Sequence, residues 1–184
     1  NGGLAIQALN SSPYFINSIY PQLAKHKKYD PSRIGNFFIC YRFFKEMRNC
    51  LIHHGGMPHA NLITAYQRFS ALQTLDLGAK QIPEHDPIIQ GQKIKLSLRG
   101  VTGFGDIALK LMITIDAEIA KSTHAEDYFV QRWRELHPPG LTLPKDPKRA
   151  SNFIKRHITK LDIPSDKSVM DLKPLLFSKK LVTR

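Results

Sequence analysis

Arg48, Asn49 and His53 fall within one six-residue stretch and bring together a fixed cation, an amide and a titrating ring. A guanidinium is permanently charged, and its planar fork matches the oxygens of a phosphate. An imidazole changes charge near neutral pH, so it can give or take a proton in a reaction. The set therefore suits proton transfer beside a phosphate on which negative charge builds up. His54 follows at once and Arg42 lies one and a half turns upstream, two further polar groups that could touch an anionic substrate.

Positioning these groups is the task of the segment from Arg33 to Gly56, RIGNFFICYRFFKEMRNCLIHHGG. Phe37, Cys40, Phe44, Met47 and Leu51 recur at spacings of three and four, which predicts one buried helical stripe. Arg42, Glu46, Asn49 and His53 make a polar stripe on another side, and Gly55-Gly56 supplies the stop. On such a helix Arg48 and His53 point about 140° apart, so one copy closes a shared site poorly. Pairing across a two-fold axis would bring the two groups together, which predicts a homodimer.

An arginine, a polar residue, three further residues and a histidine at the end of an apolar helix resemble the R-x4–6-H signature of HEPN domains. Arg48, Asn49 and His53 match it, and Gly55-Gly56 follow. The resemblance implies an α-helical bundle that often dimerises. In catalytic members it also implies metal-independent RNA cleavage, with the Arg and His of two protomers lining one cleft. A looser similarity, in the pattern IKLSLRGVTGFGDIALKLMITIDAEIA, extends it over residues 1–137. On this reading Arg48, Asn49 and His53 are catalytic, the 2′-OH of RNA attacks the adjacent phosphate, and the protein is a toxin or host-defence effector. An antitoxin or a defence-complex partner is then expected. A second match, Arg132 to His137, lacks the polar residue after the Arg and ends in Pro138-Pro139; it reads as coincidence.

Composition narrows the classes. The chain has 184 residues and a formal net charge of +12, which favours an anionic partner, nucleic acid ahead of membrane. Residues 138–184 hold 11 Lys and Arg against 4 Asp, so the charge concentrates in a basic C-terminal extension. Within it Asp146-Pro147 opens a helix whose Lys148, Arg149, Lys155 and Arg156 are expected to contact RNA. No apolar run is long enough to span a membrane. Cys40 and Cys50 stand about 15 Å apart along one helix, too far to bridge, and read as reduced thiols of a cytoplasmic protein. His53, His54 and His59 with no nearby Cys or carboxylate make a poor zinc set, so no metal is expected, and no cofactor motif appears.

The rest of the chain alternates helical patterns with punctuation. Ser12-Pro13 starts a short helix, and Met57-Pro58 starts another running toward Gly78. Lys93 to Arg99 alternates apolar and polar residues and, with Pro87 to Ile89 before the Gly91 turn, predicts a small β-hairpin. A long helix follows from Gly100, and Thr123-His124-Ala125-Glu126 reads as a capping box. The expectation is a mainly α fold, an antiparallel helical bundle with a β-hairpin insertion over residues 1–137, and a basic extension over 138–184. Two other readings stay open: a non-catalytic HEPN-like module that binds protein or RNA, and a basic DNA-binding regulator using residues 147–172.

Overall fold

The computed structural model describes residues 9–161 and 167–183, and among them the fold is mainly helical. Eight α-helices follow in order: α1 Pro13–Asn17, α2 Tyr20–Ala24, α3 Ile34–His53, α4 Ala60–Phe69, α5 Leu98–Ala120, α6 Thr123–Leu136, α7 Pro147–Thr159 and α8 Lys173–Ser178. Short 3-10 turns at Pro31–Arg33 and Lys167–Leu172 precede α3 and α8. The chain divides into two compact units, one of residues 30–114 and one that joins the N-terminal residues up to Tyr29 to Ile115–Arg184. The boundary falls inside α5. Ser165, a residue type that favours opening a helical segment, lies outside the described residues.

In the 30–114 unit, α3 and α4 form a helical hairpin. Phe43 stacks on Phe69 with ring centroids 4.4 Å apart, while Glu46 lies near His59, so the two helices run antiparallel. Phe37, Cys40, Phe43, Met47 and Cys50 of α3 are fully buried against Leu62 and Phe69 of α4. Phe44 stacks on Phe104 at 4.7 Å and brings in α5, whose Ile107 and Leu111 close the core. Burial holds the Cys40 thiol at a pKa of about 12, so it is an inert core group and not a nucleophile. The predicted stripe is right except at its end, where Leu51 is exposed and Cys50 takes the buried place.

The predicted β-hairpin is absent: no strand occurs among the described residues, and residues 82–97 are irregular. The turn is there, with Gly91 at φ +82° and the Gln92 N–H bonded to the Ile89 carbonyl, but no ladder follows. Two short strands with no sheet or helix to cover them are marginal in water. The helix captures their last residues instead. Ser97 Oγ accepts the Gly100 N–H at 2.9 Å, so α5 begins at Leu98 and not after Gly100. Gly100 is obligatory there, since a Cβ would sit 2.2 Å from the Glu84 carbonyl oxygen of the loop pressed onto the helix. Helix α4 is also shorter than expected and ends at Phe69.

In the other unit the basic C-terminal residues are not an extension. Ile154 and Ile158 of α7 and Leu175 and Leu176 of α8 share one core with Phe15, Phe129 and Trp133. The expected boundary at 138 is therefore corrected: α6 has an apolar face that the residues after 138 cover together with α1. Each fully buried aliphatic side chain contributes about 1.5–3 kcal/mol, so removing residues 138–184 would take away more than a small domain's net stability. The expected capping box at Thr123 also differs. Ser122 is the N-cap, accepting the Ala125 N–H, while Glu126 accepts from Ser12 Oγ at 2.5 Å and pairs with Lys179 at 3.0 Å. That carboxylate ties the start of α1 to the end of α8.

Candidate functional site

Helix α3 carries the candidate site at its C-terminal end. The cap is built as the two glycines foretell. His54 N–H and Gly56 N–H both reach the Cys50 carbonyl, at 3.0 and 2.9 Å, with Gly55 and Gly56 at positive φ. This left-handed exit leaves His53 as the last helical residue and His54 as the cap. Both histidines are exposed, as are Arg48 and Arg42, and Asn49 is half-buried. The turn is also anchored from outside, since Ile94 N–H donates to the Gly56 carbonyl at 2.9 Å.

Two residues of this neighbourhood stand outside the sequence-derived set. Glu46, placed on the polar stripe by its spacing, is 7% exposed. Its Oε2 accepts from the Asn49 amide Nδ2 at 3.4 Å and lies 3.7 Å from His59 Nε2. His59 in turn is the N-cap of α4, its Nδ1 accepting the Leu62 N–H at 3.2 Å. The His54 ring meets the His59 ring edge-on, with centroids 4.8 Å apart. Pro58 as a first helical residue had hidden the cap, because a histidine seldom fills that role. Glu46 was legible as a neighbour of Asn49 three residues on; its burial was not.

Arg42, Arg48, Asn49, His53 and His54 therefore share one helix and its cap. Lys148, Arg149, Lys155 and Arg156 are exposed on α7, in the other unit. The Asp146 side chain caps that helix through the Arg149 N–H at 2.8 Å, and Pro147 occupies its first turn, as the sequence predicts. Lys148, Asn152 and Lys155 follow one another at helical spacing, as do Arg149 and Arg156, so α7 shows a wide basic face opposite buried Ala150, Ile154 and Ile158.

The second arginine–histidine match has a different setting. His137 is buried, its ring meeting Trp133 edge-on at 4.7 Å, and its Nδ1 meets His157 Nδ1 at 3.2 Å. Burial depresses both imidazoles, His157 to about 4 with help from the neighbouring His137, Lys160 and Arg156. Arg132 pairs on the surface with Glu135 at 2.7 Å. The same unit has an apolar cavity of about 490 Å³ beside Phe15, Ile119 and Phe129; its polar neighbours Asp116, His124 and Arg132 do not form a reactive set.

Among the described residues no three His, Cys, Asp or Glu side chains come together in a metal-binding group. None of the helices there is long and apolar enough to cross a membrane. Comparison with protein-family models, with curated proteins and with solved structures returns no match.

Proposed function

We propose that the protein is a metal-independent endoribonuclease of the HEPN kind, acting at the end of α3. The observation that carries this is the cap: Arg48, Asn49 and His53 stand on the last turns of one helix, and the His53 ring is exposed beside a fixed glycine turn. His53 takes the proton of a ribose 2′-OH as that oxygen forms a bond to the adjacent phosphorus. The bond from phosphorus to the 5′-oxygen breaks, the leaving oxygen receives a proton, and a 2′,3′-cyclic phosphate remains. Arg48 binds the non-bridging oxygens, whose charge grows in the transition state.

Since Arg48 and His53 diverge by about 140° on the helix, the complete site is formed by two copies. The face for this contact is apolar and exposed: Leu98, Val101, Leu109 and Met112, with Gly105 among them, lie on α5 within an arc of about 80°. Tyr41 and Ile52 add apolar surface on either side of Arg48 along α3. The basic face of α7 and Arg42 with His54 hold the RNA backbone, whose partnership with a toxin or defence system follows from the HEPN resemblance alone. The test is cleavage of a labelled RNA in EDTA by the purified protein, with product ends mapped. Cyclic phosphate ends are expected; intact RNA at enzyme excess, or cleavage that stops in EDTA, would overturn the reading.

A further inference from the structure

Glu46 is a carboxylate more than nine-tenths buried on the inner side of the candidate site, and none of the chemistry above uses it. Side-chain nitrogens of two residues approach its Oε2. One is Asn49 Nδ2 of α3 at 3.4 Å, the other His59 Nε2 ahead of α4 at 3.7 Å, within ion-pair range. Each partner's protons follow from what it does elsewhere. His59 Nδ1 accepts the Leu62 N–H, so the ring's proton sits on Nε2, the atom that faces Glu46. The Glu46 oxygen accepts, so one N–H of the Asn49 amide is committed to it and the amide oxygen is turned away from the carboxylate.

That orientation bears on two roles for Asn49. One of its two amide N–H groups is spent on Glu46, and the oxygen is turned away from the carboxylate as an acceptor, which suits an imidazole N–H and not a phosphate oxygen. Asn49 and His53 lie one turn apart on the same stripe, the spacing at which helical side chains meet. We propose that Glu46 is a positioning residue: its buried carboxylate sets the Asn49 amide so that Asn49 Oδ1 accepts a ring N–H of His53. The other ring nitrogen of His53 is thereby held ready for the ribose hydroxyl. The same carboxylate, through His59, fixes α4 against the turn that carries His53. This rests on the ribonuclease reading for its catalytic consequence, though not for the network itself.

A polarity swap tests it. Glu46→Gln lets the amide of Asn49 turn over, and Asn49→Asp sets two carboxylates against each other; each should lower kcat about tenfold or more with KM within about twofold. Combining Glu46→Gln with Asn49→Asp reverses the direction of the bond: the new glutamine amide donates, and the new aspartate still presents an acceptor to His53. The double variant should recover to within about threefold of wild type. A double variant no better than the worse single one overturns the proposal, because an aspartate cannot do the work of an amide that donates to phosphate. Circular dichroism and melting temperature on all three variants separate lost folding from lost positioning. Long-range proton–nitrogen NMR of the histidines judges the network without any cleavage assay. His59 in the Nε2–H form at neutral pH supports it, and the Nδ1–H form overturns it even if wild type cuts RNA. Wild-type protein that cuts no RNA removes the ribonuclease reading and leaves that NMR result standing.

Discussion

Arg48 with His53 and Arg132 with His137 have the same spacing on two helices, yet one histidine is exposed and the other is packed under a tryptophan. The difference is one of register. On α3 the buried residues centre on a line from which Arg48 and His53 each diverge by about 110°, on opposite flanks. On α6 the buried line runs through Glu126, Phe129, Val130 and Trp133 and continues into His137. Only Arg132 is turned out there, and it pairs with Glu135. A spacing pattern thus becomes a site only where the helix's apolar stripe leaves both groups outside.

The largest effect should come from the chemistry of the first pair. His53→Ala is expected to lower cleavage by about 10²–10⁴-fold while RNA affinity stays within about twofold, as for a general base or acid. Arg48→Lys should also be damaging, because an ammonium cannot reproduce a bidentate fork. Ala at Arg132 should leave specific activity near wild type, measured on the folded fraction. If Arg132→Ala removed activity and His53→Ala did not, the two matches would exchange roles.

The second pair should show itself in stability. Trp133→Ala deletes a ring packed between His137, His157 and Phe129 and is expected to cost about 3–5 kcal/mol in urea unfolding. His53→Ala, on an exposed ring, should move the same curve by less than about 0.5 kcal/mol.

A smaller, pH-dependent term follows from the depressed imidazoles. His157 binds protons less readily in the folded protein than in the unfolded chain, with its folded pKa at about 4 against the ordinary 6.5. Its contribution to stability is complete above pH 6.5 and is lost as pH falls toward 4. The loss should be about 1–2 kcal/mol, less than the full shift because the ring is partly exposed. A His157→Asn variant should melt with a flatter pH dependence over that window; an unchanged slope would remove this account of the pair.

The smallest effect concerns the basic helix. Changing Lys148, Arg149, Lys155 and Arg156 together to Gln should leave folding intact, since all four are exposed. It should flatten the salt dependence of RNA binding by up to about 3 in log–log slope, at roughly 0.7 per lost phosphate contact. An unchanged slope would make that face a solvated surface only.

Read along the chain, the sequence determines the local facts: where α3 runs, which of its residues face a core, why it stops at Gly55-Gly56, and that Asp146-Pro147 opens α7. These depend on spacing, backbone freedom and capping chemistry within a few residues of one another. It determines just as plainly that Arg48, Asn49 and His53 stand together. What the alternation from Lys93 to Arg99 could not reveal is that nothing covers it; a strand needs a partner across space, and Ser97 offered a nearer cap. The helices after 138 read as an appendage because their charge is conspicuous in the sequence, while the apolar face of α6 that requires them is visible only in three dimensions. Glu46 and His59 meet for the same reason. Burial of a carboxylate and its choice of donors are decided by which helices pack together, and that is set by the whole chain at once.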